Sequence, residues 1–259
     1  MKSNRVIWGL VALVVLTTIS VTFGTLNGSI HLNGSIQRKI ANHVETTPTP
    51  ETKDKRDLTK YGIVDYNAPQ IENQAEWDRR RQISQRYDNQ GWVYKLQNAE
   101  PGGIGKITDD PPPPLFPIEE STLIVVGEIV SVNTFLSNDK GGVYTEFTIR
   151  VGDVLKNKES KNVKEVTADR EGGVVVYPNG GRVLYQNSSV GLPRLGSKYL
   201  FFLTKDGLSP NYEILTSYDI TGDRIHQMEM GRPFDEFKNS NKTTFIETVR
   251  NKIGRLRSQ

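Results

Sequence analysis

Few side chains in this chain have a type and spacing that could carry chemistry. The histidines are His31, His43 and His226. The first two fall in a polar stretch near the N-terminus, so the three form neither a metal-ligand spacing nor the base of a nucleophilic triad. His226 sits in a strand pattern with Glu229 nearby, where a histidine is more often structural than catalytic. Cysteine is absent, which excludes disulfides, thiolate catalysis, thiolate metal sites and cysteine lipidation. Gly102-Gly-Ile-Gly105 is glycine-rich, but it follows no strand pattern and opens no helix, so it is not read as a phosphate cradle. Ser188 and Ser189 lack the Gly-x-Ser-x-Gly context of an activated serine. The carboxylate pairs Asp109-Asp110 and Glu119-Glu120 lie in loops next to proline. Carboxylates brought together on the barrel by folding stay open as a catalytic arrangement. No catalytic, cofactor-binding or metal-binding residue is assigned, no cofactor is expected, and the binding residues are left open.

Binding chemistry has slightly more to work with. Arg79-Arg80-Arg81 stands close to Trp77, Trp92 and Tyr94. The run could be a basic patch for an acidic partner. It reads more readily as the solvated face of a helix with Glu72, Glu76 and Asp78 as counter-charges, the aromatics packing that helix on the rest. The helix would cover Ala68 to Asn89, where Ile71, Ala75, Ile83 and Tyr87 recur at multiples of four. The net charge is +3, and Lys2 and Arg5 supply two of those charges. The remainder is too balanced to point to nucleic acid.

The elements that would position any site lie further on. In Val143 to Val151, Val143, Thr145, Phe147, Ile149 and Val151 fall on one side of an extended strand and Tyr144, Glu146, Thr148 and Arg150 on the other. This is the alternation of a half-buried strand. Ser121 to Val132 is β-branched and apolar, and Ser137-Asn-Asp-Lys-Gly-Gly142 is turn-rich, so residues 121–155 read as a long hairpin. Short strand patterns follow at Val163–Ala168, Val174–Tyr177, Arg182–Tyr185, Lys198–Leu203, Tyr212–Thr216 and Arg224–Met228. Pro178-Asn-Gly-Gly181 between two of them is a hairpin signal. Thr244 to Arg257 reads as a helix with Phe245, Val249, Ile253 and Leu256 on one stripe and capping-box spacing at Thr244 and Glu247. The stripe is expected to dock near Tyr199–Leu203.

The first part of the chain reads differently. Met1 to Arg5 is a short basic start. Val6 to Phe23 carries no charged residue and is long enough to cross a bilayer as a helix. Lys2 and Arg5 would hold residues 1–5 in the cytoplasm and send the rest outside. The alternative is a signal peptide cleaved near Thr18-Ile-Ser20 or Thr22-Phe-Gly24, giving a secreted protein. Residues 24–67 read as a flexible linker, with the direct repeat Leu26-Asn-Gly-Ser-Ile30 and Leu32-Asn-Gly-Ser-Ile36. Residues 68–114 read as a helical and proline-rich lead-in ending in Pro111-Pro-Pro-Pro114. Residues 115–259 hold the strong strand signals and are expected to fold by themselves. Asn27, Asn33, Asn187 and Asn241 match the glycosylation triplet.

The fold class is mainly β: a small barrel with a C-terminal packing helix, preceded by a transmembrane helix, a linker and one amphipathic helix. Thr122-Leu-Ile-Val-Val-Gly-Glu-Ile-Val130, Tyr144-Thr-Glu-Phe-Thr-Ile149, Val154-Leu-Lys-Asn157 and Gly196-Ser-Lys-Tyr-Leu-Phe-Phe202 together resemble the netrin-like domain. That is the OB-like barrel also found in tissue inhibitors of metalloproteinases and in exported bacterial proteins. The resemblance spans about residues 119–205 and implies a fold. In the metalloproteinase inhibitors an N-terminal cysteine occupies the protease zinc site, and this chain has none. The expected function is a membrane-tethered extracytoplasmic binding or interaction domain without catalysis, its partners the membrane through residues 6–23 and an unidentified protein or ligand. The alternatives are a cell-envelope hydrolase with carboxylates on the barrel face and an oligonucleotide-binding barrel, though no nucleic acid is expected.

Overall fold

The computed structural model describes residues 57–257 apart from 70–72, 92, 94–102, 108–113, 160–161, 188–190, 206, 208, 228–236 and 238–239. In chain order the elements are β1 (Ile63–Asp65), α1 (Gln74–Ser84), β2 (Gly103–Ile107), β3 (Leu123–Leu136), β4 (Val143–Asn157), β5 (Glu165–Glu171), β6 (Gly173–Val176), β7 (Arg182–Asn187), β8 (Lys198–Thr204), β9 (Tyr212–Asp219), β10 (His226–Gln227) and α2 (Lys242–Arg257). Single 3-10 turns precede β1 at Leu58–Lys60 and extend α1 at Gln85–Tyr87.

Five strands close on themselves. β4 pairs with β3 and β5, β5 runs parallel to β9, β9 pairs with β8, and β8 returns to β3. The result is a closed five-stranded barrel compatible with the OB-like architecture. β3 and β4 are the long hairpin that the alternation predicts. Their register shifts at Ile124/Val125, Val126/Gly127 and Ile129/Ser131. Such bulges bend and twist a long pair, which is what closure demands. Gly127 sits in this bend, where a Cβ would stand 2.4 Å from Ile149 Cγ2.

β8 shows why Lys198–Leu203 is apolar almost throughout. Tyr199, Phe201 and Leu203 enter the barrel core with Leu123, Val125, Phe147 and Ile149. Leu200 and Phe202 face outward into a second cluster with Phe245, Val249 and Ile253 of α2. The C-terminal stripe therefore docks on the expected strand. Leu256 is 39% exposed and lies outside the stripe's buried part. Phe116, from the lead-in to β3, has ring centroids 5.4–6.2 Å from Phe202, Tyr218, Phe237 and Phe245. The cap differs from expectation. Asn241 is the residue whose side chain accepts from the Thr244 amide, at 2.9 Å. Glu247 pairs with Arg250 instead of reaching back.

The hairpin at 178–181 also forms, but β6 and β7 do not enter the barrel. They make a four-stranded sheet in the order β1-β6-β7-β2, with β1 and β2 added in parallel at the edges. Residues 63–65, within the stretch read as linker, and 103–107, within the lead-in, are thus strands of the folded unit. Val64, Tyr66 and Val93 pack with Val143, Val175, Tyr177, Val183 and Tyr185. No helix among the described residues is long and apolar enough to cross a membrane. Residues 6–23 lie outside them.

Candidate functional site

α1 begins at Asn73, whose side-chain oxygen accepts from the Glu76 amide at 3.1 Å. Trp77, Arg80, Arg81 and Ser84 then follow at i, i+3, i+4 and i+7, which puts them on one helical face. That face forms one wall of a cleft of about 610 Å³. Phe135 and Leu136 at the end of β3, the turn residues Ser137, Asn138 and Lys140, and Tyr144 of β4 form the opposite wall. Val64, Ala68 and Pro69 supply the remaining side.

Hydrogen bonds fix the two main walls against each other. Asn138 Nδ2 donates to Asp88 Oδ2 at 3.0 Å and to the Arg81 carbonyl at 3.2 Å. The Asn89 amide donates to Asp139 Oδ2 at 2.7 Å. Within the turn, Ser137 Oγ donates to Asp139 Oδ1 and accepts from the Gly142 amide. Gly142 is required by this contact, since a Cβ there would lie 2.2 Å from the Tyr87 carbonyl oxygen.

Cations and rings alternate along the cleft. The Arg80 guanidinium lies 3.6 Å above the Phe135 ring, and that of Arg81 lies 5.1 Å from Trp77. Lys140 Nζ donates to the Tyr66 carbonyl at 3.1 Å. Asp88 is the carboxylate in the lining. Such a cleft can hold a flat or apolar body together with negative charge.

A pair of buried acids lies under the same helix. Glu146 of β4 and Asp169 of β5 are direct cross-strand partners and are 6% and 0% exposed. Arg79 Nη2 donates to Glu146 Oε2 at 3.0 Å, and Arg86 Nη1 to Asp169 Oδ1 at 3.2 Å. The Tyr87 hydroxyl donates to Asp169 Oδ1 at 2.5 Å, and its ring stacks on Tyr144 at 4.7 Å. Burial pushes the Asp169 carboxyl up to about 6, against the pull of Tyr87 and Arg86. Burial also raises the Tyr87 and Tyr144 hydroxyls. Tyr144 and Glu146 lie on the strand face that alternation leaves to solvent. α1 and its 3-10 extension cover that face, so this end of β4 is buried on both sides.

The arginine run therefore divides its work. Arg79 and Arg80 pair with Glu76, as the solvated-face reading expects, while Arg79 also reaches the barrel and Arg80 and Arg81 line the cleft. The Arg79 hydrogen bond holds the Glu76 carboxyl down to about 2. Trp77 joins the cleft wall. His226 and the pair Glu119-Glu120 are exposed and apart from it. Residues 103–105 of the glycine run form part of β2. Asn187 is 8% exposed at the end of β7, a poor position for a glycan. Asn27, Asn33, His31, His43, Trp92, Tyr94, Asp109, Asp110, Ser188, Ser189 and Glu229 lie outside the described residues. No group of metal-ligating side chains converges among the described residues. Ser84, Phe135, Lys140 and Tyr144 are the site residues that sequence reasoning passed over. The spacing of Trp77, Arg80, Arg81 and Ser84 was the available signal. Compared with known proteins, the chain matches no family model and no curated protein.

Proposed function

We propose that this protein is a binding module without catalysis, tethered outside a membrane through residues 6–23, and that it binds through the cleft between α1 and the β3–β4 turn. The cleft carries the reading: walls hydrogen-bonded to each other, three aromatic side chains and three cations against one carboxylate. Its size suits a small molecule. The tether rests on the uncharged run after Lys2 and Arg5. Kinship of the barrel with netrin-like domains belongs to the same proposal and rests on the apolar strand pattern.

A fragment screen by ligand-observed NMR on the purified full chain tests it, with Ala68→Trp as a variant that fills the cleft from its exposed side. Hits that disappear in this variant are expected. Hits indifferent to it, or none, would overturn the reading. A second reading has one observation in its favour. Glu146 and Asp169 are adjacent carboxylates, and Asp169 is poised near 6, as a carbon–oxygen bond hydrolase would need. They are sealed beneath α1 and line no part of the cleft, so this reading requires α1 to lift. Glycosidase or esterase turnover lost in both Glu146→Gln and Asp169→Asn would favour it.

A further inference from the structure

Resting on the binding-module reading, we propose that the cleft takes a small planar organic monocarboxylate, its charge held at Arg81 and its ring against Trp77 and Leu136. The charge balance at the cleft selects the anion. Arg80 is neutralised by Glu76 at 2.5 Å. Lys140 is tied to the Tyr66 carbonyl. Asp88 accepts from Asn138 Nδ2 and, at 3.4 Å, from the Asp139 amide. Arg81 has no ion pair among the described residues, and its guanidinium lies on Trp77 with its N–H edges available. A guanidinium stacked on a ring can still present two parallel donors to a carboxylate.

A second observation points the same way. Ser84 is 2% exposed, and its Oγ has no hydrogen-bond partner, yet it lines the cleft three residues beyond Arg81. A buried hydroxyl without a partner is costly, and a ligand oxygen would satisfy it. The helix sets the charge of the ligand. Arg80, Arg81, Ser84 and Gln85 lie at the C-terminal end of α1, where the helix dipole disfavours negative charge. One carboxylate met by Arg81 is tolerated there, and a doubly charged phosphate is opposed. The rings set the shape. Arg80 covers one face of Phe135 and Tyr144 is buried against Tyr87, which leaves Trp77 and Leu136 as the apolar surface and favours a flat body over a bulky one.

Titration of the full chain with benzoate and with benzamide, read by chemical-shift changes, tests this. The two probes share size and shape and differ in charge. Benzoate should bind about tenfold tighter than benzamide, and added salt should narrow the gap. Arg81→Gln, at an exposed side chain, should remove about that tenfold from benzoate and change benzamide binding far less, bringing the two probes to similar affinity. Ser84→Ala should weaken benzoate severalfold and Ala68→Trp should abolish both. Equal affinities for the two probes, or benzoate binding indifferent to Arg81→Gln, would overturn the proposal. If fragments occupy the cleft but neither probe does, the monocarboxylate fails while the binding module stands. If nothing occupies the cleft, both fail.

Discussion

Glu146 and Asp169 face each other across β4 and β5, and like charges directly opposite raise the energy of a strand pair. Arg79 and Arg86 offset this from outside the barrel. Because burial lifts Asp169 from 3.8 to about 6, the folded protein holds its proton more tightly than the unfolded chain does. The stability this contributes is fully present below pH 3.8 and is lost as pH rises through about 6. It amounts to up to about 3 kcal/mol. Glu76 has the opposite sign. Its carboxyl is held down to about 2, so its contribution is present at neutral pH and fades as pH falls toward that value. Denaturant midpoints of wild type and Asp169→Asn, measured from pH 7 to pH 4.5, should diverge in favour of wild type on the acid side. Parallel curves would show that Asp169 does not titrate in this range. Gly142→Ala makes a local prediction of another kind. Its Cβ would meet backbone, not a flexible side chain, so a loss of roughly 1–3 kcal/mol is expected. Thermal unfolding of the single variant checks it.

At the scale of elements, α2 and α1 differ in how they attach, and that decides how much of each was legible. α2 is held by a stripe of apolar residues, with Phe245 and Val249 fully buried, and such a stripe has a readable period. Val249→Asp should cost at least about 3 kcal/mol, because an unpaired carboxylate would sit against Leu200 and Phe202. Arg250→Gln loses solvent-exposed ion pairs with Asp153 and Glu247 and should leave the denaturant midpoint essentially unmoved. Equal midpoints for Val249→Asp and wild type would detach the helix from the barrel's stability. α1 has no such stripe. Ile83 and Tyr87 are buried, but Ala75 is exposed. Its attachment is apolar at Ile83 and Tyr87 and polar through Arg79, Arg86 and the Tyr87 hydroxyl. The recurrence of Ile83 and Tyr87 lets the helix itself be read, but hydrophobic periodicity cannot register where a helix docks by charge onto acids of a strand's supposedly wet face. β1 and β2 were missed for a related reason. They have three and five residues, carry no alternation of their own, and become strands because β6 and β7 offer them edges. The cleft was missed with them, since its walls belong to segments far apart in sequence.

For the whole molecule, the question is where the cooperative unit begins. The strand signals point to residue 115, because the five barrel strands and α2 all follow it. The packing points to about residue 57. Residues 54–259 form one compact body by their contacts, and β1, α1 and β2 are built into it. Without them, the cluster around Val175, Tyr177, Val183 and Tyr185 loses Val64, Tyr66 and Val93. β6 and β7 then form a two-stranded hairpin whose outer edges are both unpaired, an arrangement marginal in water. Tyr144 would lose the stacked Tyr87 ring, and Glu146 and Asp169 would lose both arginines. The α2 interface would be untouched, since its cluster draws on no residue before Leu115, and the barrel core would lose only the partly buried Leu58 and Tyr61. The expected result for a 115–259 fragment is therefore a folded barrel of much reduced stability with a frayed β6–β7 hairpin. A 57–259 fragment should unfold cooperatively at the same midpoint as the full chain. Denaturant unfolding of both fragments, with amide exchange over residues 173–187, decides the matter. Protection of that hairpin in the 115–259 fragment equal to that in 57–259 would show that β1, α1 and β2 are accessory to the fold.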